Sequence, residues 1–251
     1  NYTRKTMYQL IFYFFPNRLI CMVQLMPISH IPCRMPNGLQ WAENELFVMD
    51  QYTDNVYVIN ERGSVIREFE TVTENGSGIT VGGGYLWTAS NGDTTARSKR
   101  PTDTDSGTSY INKLDLETGK LVDRFLTPDR GGIHGIEWDD GFMWVTGFNP
   151  KAIILVDTTT FSIVKKISVN LDVLHGLARD GNGIWCADRK ERVIVKFDVE
   201  TGKEIDRITF PDEAPDPHGL SIKNQELWYS DAAFPDPRPS RDYPEIGKIR
   251  L

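Results

Sequence analysis

The sequence predicts an all-β fold of five four-stranded antiparallel sheets set radially about one axis. Two observations predict it. A template recurs five times, starting at Asn37-Gly38-Leu39, Ser77-Gly78-Ile79, His134-Gly135-Ile136, His175-Gly176-Leu177 and His218-Gly219-Leu220. Nine residues after each glycine stands an aromatic residue: Phe47, Trp87, Trp144, Trp185 and Trp228. Successive repeat glycines are 40, 57, 41 and 43 residues apart. A unit of ~40 residues and four strands is a propeller blade, because one four-stranded sheet cannot bury both faces alone and must be covered by its neighbours.

The fourth repeat shows the strands most clearly. His175 to Arg179 and Gly183 to Asp188 form the first two. Val193 to Val199 alternates apolar and polar residues, Glu200-Thr201-Gly202 turns the chain, and Glu204 to Phe210 alternates again. The second repeat carries the same hairpin, with Leu114-Asp115-Leu116-Glu117-Thr118-Gly119-Lys120 matching Phe197-Asp198-Val199-Glu200-Thr201-Gly202-Lys203. The fifth repeat ends on its third strand, Ile246 to Leu251, and lacks a fourth. Leu19 to Leu25 supplies one: pairing it with the C-terminal strand closes a five-bladed β-propeller and removes two open edges. A six-bladed alternative needs two further strands from residues 1–18, where only Tyr8 to Phe15 qualifies. The domain reading is therefore an N-terminal extension, 1–18, and a single propeller, 19–251.

Composition narrows the partners. The 251 residues are 39% apolar and 25% charged, a globular balance, and the net charge is −7. An acidic chain is a poor general binder of nucleic acid or of anionic membranes, so a small-molecule substrate is expected instead, and the oligomeric state is left open. Arg4 and Lys5 precede an apolar run, Met7 to Phe15, that is too short to span a bilayer and lacks a clean small-residue cleavage site. Cys21, Cys33 and Cys186 form no CxxC pair and no disulfide framework. Together these point to a cytoplasmic chain, with secretion or the periplasm as the alternative. Asn75-Gly76-Ser77 matches a glycosylation sequon, and Gly82-Gly83-Gly84 reads as a turn.

The fourth repeat, His175-Gly176-Leu177-Ala178 through Gly183-Ile184-Trp185-Cys186-Ala187-Asp188 to Val193-Ile194-Val195-Lys196-Phe197-Asp198, resembles the NHL and YVTN-type propeller superfamily. The resemblance covers residues 37–251 and is specific for fold. It implies kinship with virginiamycin B lyase, gluconolactonase-like hydrolases, the amidating lyase of peptide hormones and the five-bladed plant-type glutamine cyclotransferases. The amidating lyase holds zinc with histidines from separate blades. The Phe-Thr-Gln-Gly-Leu opening of the cyclotransferases is absent here, where Met35-Pro36-Asn37-Gly38-Leu39 stands instead.

Three of the four histidines, all but His30, open a blade's innermost strand. With Asn37 and Ser77 they predict a ring at one mouth of a central tunnel. Neutral imidazoles converging on an axis suit a divalent metal, zinc, iron or manganese, with His134, His175 and His218 as ligands. A polar tunnel without tight metal, and purely structural histidines, are the alternatives. Twelve residues after the repeat glycines come Asp50, Ser90, Gly147, Asp188 and Asp231. In a four-stranded meander these lie on the histidine face, so Asp50, Asp188 and Asp231 are candidate general bases or orienters of histidine, or else caps of loop backbone. The long insertions, Gly92 to Thr108 and Ala232 to Glu245, fall on the same face, as does the entry Phe210 to Pro217. They bring Arg97, Lys99, Arg100, Arg238 and Arg241, and Arg189, Lys190 and Arg192 follow Asp188. Asn37, Ser77, Arg97, Arg189, Arg238, Phe148 and Tyr243 are the expected substrate contacts, with Tyr52 and Phe234 as further apolar walls.

The functional expectation is a metal-dependent lyase or hydrolase acting on a small anionic or carbonyl-bearing substrate at the tunnel mouth. Glutamine cyclotransferase-like acyl transfer without a transition metal and a non-catalytic binding scaffold are the alternatives. No Walker motif, no dinucleotide fingerprint in a βαβ context and no HExxH is present.

Overall fold

The computed structural model describes residues 10–12, 22–29, 33–92, 108–210, 214–232 and 244–250. All regular structure among them is β. Blade 1 is β3 (Pro36–Ala42), β4 (Glu45–Asp50), β5 (Asn55–Asn60) and β6 (Val65–Glu70). Blade 2 is β7 (Gly76–Gly82), β8 (Tyr85–Ser90), β9 (Tyr110–Asp115) and β10 (Leu121–Leu126). Blade 3 is β11 (Ile136–Asp139), β12 (Phe142–Phe148), β13 (Lys151–Asp157) and β14 (Ile163–Ser168). Blade 4 is β15 (Leu174–Asp180), β16 (Gly183–Asp188), β17 (Val193–Asp198) and β18 (Glu204–Thr209). Each is an antiparallel meander.

Blade 5 is built from both ends of the chain. Its three inner strands are β19 (Leu220–Lys223), β20 (Glu226–Asp231) and β21 (Glu245–Arg250). The fourth is β2 (Met22–Ser29), which lies antiparallel to β21 with Gln24 opposite Arg250. The closing strand therefore exists but runs later than the expected 19–25. The expected strand at Tyr8 to Phe15 contributes β1 (Leu10–Phe12), which adds outside β2 as a fifth strand of this sheet and starts no sixth blade.

The repeat aromatics explain why the ring coheres. Among the described residues there are five clusters of buried side chains, and each contains one of the five and spans one blade junction. Phe47 packs with Ile79, Leu86 and Leu114 between blades 1 and 2. Trp87 meets Ile136 and Val145, Trp144 meets Leu177 and Cys186, Trp185 meets Leu227 and Tyr229, and Trp228 meets Leu39 and Leu46. Burying one such side chain is worth roughly 1.5–3 kcal/mol, so the aromatic stripe supplies much of the adhesion between blades.

The axis itself is tight. A Cβ on Gly38, Gly78, Gly135, Gly176 or Gly219 would overlap the carbonyl oxygen of Ser77, His134, His175, His218 or Asn37 on the next blade. Only glycine lets the five innermost strands approach so closely. The expected tunnel is therefore pinched to a cavity of about 10 Å³, lined by residues that include Asn37, Ser77 and His134. That is room for about one water molecule. A ligand larger than a water molecule does not fit at this level of the axis.

Candidate active site

The structure brings the three repeat histidines together. The His134 and His175 rings stack, with centroids 4.3 Å apart and planes 15° from parallel. His218 meets His175 edge-on at 4.7 Å. His175 and His218 are buried, whereas His134 is half-buried and faces the Phe148 ring at 5.2 Å. Phe148 thus lies edge-on beside His134.

Hydrogen bonding fixes two of the tautomers. His175 Nδ1 lies 3.1 Å from the Val173 carbonyl and His218 Nδ1 lies 2.9 Å from the Asp216 carbonyl. A carbonyl only accepts, so each Nδ1 carries the proton and each neutral ring keeps its acceptor lone pair on Nε2. His134 Nδ1 is buried with no hydrogen-bond partner among the described residues, so its tautomer is not locked.

All three imidazoles are held neutral. Burial is the largest cause in each case, and the neighbouring imidazoles and the Arg189 cation push the same way. His218 is lowered to about 3. Arg189 is half-buried, and among the described residues it is the one cation acting on every member of the cluster.

This arrangement does not fit the expected divalent metal. Metal ligands point lone pairs at a common centre, but stacked rings direct theirs side by side. Arg189, which lowers the pKa of all three rings, disfavours a bound cation beside them as well. Among the described residues no group of three or more His, Cys, Asp or Glu side chains is placed to hold a metal ion.

The aspartates are also corrected. Asp50 accepts from the backbone N–H groups of Arg34, Met35 and Tyr52 and from the Thr53 hydroxyl. Asp188 accepts from the N–H groups of Asp172, Val173, Lys190 and Glu191. Both carboxylates are consumed in tying the strand entry to the loop after the second strand, which removes them as bases. Asp231 is buried at the equivalent place in blade 5. Blade 3 has Gly147 there, and Asp129 takes over from the entry loop, accepting from Gly131, Phe148 and Asn149 at 2.8–2.9 Å. Sequence reasoning missed Asp129, although the gap at Gly147 was its signal.

The other half of the ring is internally satisfied. Asn37 Nδ2 donates to Gln51 Oε1 at 2.8 Å, and Gln51 Nε2 donates to Asn75 Oδ1 at 2.8 Å. Ser77 Oγ donates to the Ile133 carbonyl at 2.8 Å and accepts from Asn91 Nδ2 at 2.9 Å. Asn37 and Ser77 therefore join blades and are not turned to a ligand, and Asn75 is too buried to present a sequon. Gln51, Asn75 and Asn91 lie off the repeat phases used to find candidates. Arg97, Arg238, Tyr243, Phe234, Lys99, Arg100, Arg241, His30 and Cys21 lie outside the described residues. Cys33 and Cys186 are buried free thiols. The Tyr52 ring carries the Arg34 guanidinium 3.9 Å from its centroid. Lys190 pairs with Asp172.

The sequence matches no family model and no curated protein. Solved structures do resemble it. One is a glutaminyl cyclase of Myxococcus xanthus, with TM-score 0.66 and 11% identity over 90% of this chain and 96% of that one. A second is a luciferin-regenerating enzyme, with TM-score 0.55 and 11% identity over 90% and 95% of the two chains. A third is a streptogramin B lyase, with TM-score 0.53 and 15% identity over 91% and 98%. No helix among the described residues is long and apolar enough to cross a membrane. The chain is a five-bladed β-propeller, and its fold is similar to that of these three enzymes.

Proposed function

We propose that the chain is a metal-independent lyase acting on a small anionic, carbonyl-bearing substrate at the histidine half of the propeller mouth. The observation that carries this reading is the set of three clustered, neutral imidazoles under the charge of Arg189. A neutral imidazole is a proton acceptor at pH 7, and a fixed cation stabilises the oxyanion that forms when a proton leaves the carbon beside a carbonyl. His134, the most open of the three, takes that proton. The C–H electron pair becomes the new C=C bond, the leaving group departs with its bonding pair, and the imidazolium returns the proton to it. His175 and His218 orient the substrate through Nε2, and Phe148 shields one side. Asp50 and Asp188 keep the loops in place.

The test is a panel of small carboxylates bearing β-linked ester, ether or lactone leaving groups, followed by absorbance of the new double bond. Turnover is expected to survive exhaustive chelation and to fall about 10²–10⁴-fold in His134→Asn, the usual contribution of a general base. Loss of activity on chelation with recovery on adding zinc, iron or manganese would overturn the reading. So would full activity in His134→Asn.

A further inference from the structure

An entry loop leads into each innermost strand, ending at Asn37, Ser77, His134, His175 or His218. In blades 1 to 4 the loop is pinned in one way. The residue three positions before the end donates its N–H to a side-chain oxygen: Arg34 to Asp50, Glu74 to Ser90, Gly131 to Asp129 and Asp172 to Asp188. In blade 5 that residue is Pro215, which has no N–H to give. Yet this loop has a fine task, because its Asp216 carbonyl keeps the proton on His218 Nδ1.

An anchor comes from the neighbouring blade. Arg192 stands just before β17 and is buried. Its Nη1 pairs with the Asp216 carboxylate, and its Nη2 donates to the Ala214 carbonyl at 2.7 Å and reaches the Pro215 carbonyl at 3.4 Å. Where the other loops offer N–H groups to an acceptor, this one offers oxygens to a donor. A guanidinium suits that exchange, since its planar fork presents several N–H groups at once and keeps its charge. The same turn of blade 4 ties the neighbouring loop by the opposite polarity. Asp188 accepts from the Val173 N–H, and the Val173 carbonyl takes the proton of His175 Nδ1.

We propose that Arg192 is the positioning residue of His218. By fixing residues 214–216 it holds the Asp216 carbonyl against Nδ1 and so keeps the lone pair on Nε2. His175 is held independently, through Asp188. The proposal rests on the lyase reading only for the use made of that lone pair.

Long-range proton–nitrogen NMR of the histidine rings in the full chain at pH 7.5 tests it, with His218→Asn identifying the His218 signals. The parent is expected to show an N–H at Nδ1 and a lone pair at Nε2 on both His175 and His218. In Arg192→Met the two His218 nitrogens are expected to move toward a common, exchange-averaged shift, while His175 keeps its pattern. Arg192→Lys keeps the charge beside Asp216 but loses the fork, and it is expected to do the same. Thermal unfolding confirms the fold of each variant, and Arg192→Lys carries the test if Arg192→Met does not fold. A His218 pattern unchanged in either folded variant would overturn the proposal. So would His175 and His218 shifting together, the mark of a general loosening. In the lyase panel Arg192→Met is expected to raise KM about tenfold with kcat nearly unchanged, because His218 orients substrate while His134 moves the proton. A displaced His218 tautomer in the variant, with no turnover by the parent, removes the lyase reading and leaves Arg192 its role. Turnover by the parent with an undisturbed tautomer in the variant does the reverse.

Discussion

Acid should unfold this propeller through its histidines in a way that one variant isolates. His218 is neutral in the fold down to about pH 3 but has a reference value of 6.5. Its folded pKa is depressed, so its contribution to stability is complete above pH 6.5 and is lost as pH falls below that value, where the unfolded chain binds a proton and the native chain does not. The loss is RT ln(1 + 10^(6.5 − pH)), about 1.4 kcal/mol at pH 5.5 and about 2 kcal/mol at pH 5.0. His134 and His175 are shifted in the same direction, so they add to this loss with the same sign. Carboxylates titrate over the same series, and the comparison with His218→Asn removes them. Urea unfolding of both proteins at pH 7.5, 6.5, 5.5 and 5.0, at constant ionic strength, measures the gap. His218→Asn should be the less stable protein at pH 7.5, and the gap should shrink by about 1.4 kcal/mol at pH 5.5. A gap that stays constant within about 0.5 kcal/mol, close to the resolution of the extrapolation, would refute a buried neutral imidazole.

Three further outcomes follow from the geometry. Glu137 is buried between blades 3 and 4 and its carboxyl is pushed up to about 8, mainly by burial, so its folded pKa is raised. Stability is then greatest below pH 4.5 and declines as pH rises toward 8. Glu137→Gln should gain on the parent by up to about 3 kcal/mol at pH 7 and nothing at pH 4.5, read by urea unfolding. Asp129→Ala should cost about 2–3 kcal/mol by releasing three backbone N–H groups, and adding Gly147→Asp should recover part of it in thermal melts. Phe161 has φ 54° where blades 2 and 4 have Gly119 and Gly202, and it stacks on Phe125 at 3.9 Å. Phe161→Gly should destabilise the parent but stabilise Phe125→Ala by about 1 kcal/mol, because the left-handed strain is then no longer offset by stacking. A double-mutant cycle showing no coupling would count against that account.

The blades were readable because one physical constraint repeats. Each junction needs a large aromatic and each axial crossing needs a missing Cβ, so Trp185 and Gly176 recur in phase with their counterparts. The closing strand was readable from an edge left unpaired after Ile246, but its bounds were not, since residues 22–29 carry no repeat phase. The histidines were found by position, and what they do was not readable from position alone. Position places imidazoles near an axis, whereas ligation depends on ring orientation. That orientation is set by the Val173 and Asp216 carbonyls and by the Arg189 charge, none of which has a sequence signature. Asp50 and Asp188 misled for the same reason. A carboxylate facing a ligand and one facing loop N–H groups look identical in sequence, and the bond count decides between them.

The pairing of β2 with β21 also orders the events of folding. Blades 1 to 4 are hairpins of near neighbours, whereas Gln24 meets Arg250 across nearly the whole chain. On a (3/2)RT ln n scale, closing a loop of ~220 residues costs about 2–3 kcal/mol more than closing one of ~12. That contact cannot nucleate the ring, and it is expected to form after the local blades have drawn its two ends together. Until then the Trp185 and Trp228 junctions each face an unfinished sheet. The last step to form thus completes the sheet against which two of the five hydrophobic seams pack, and the ring is secured by a non-covalent clasp.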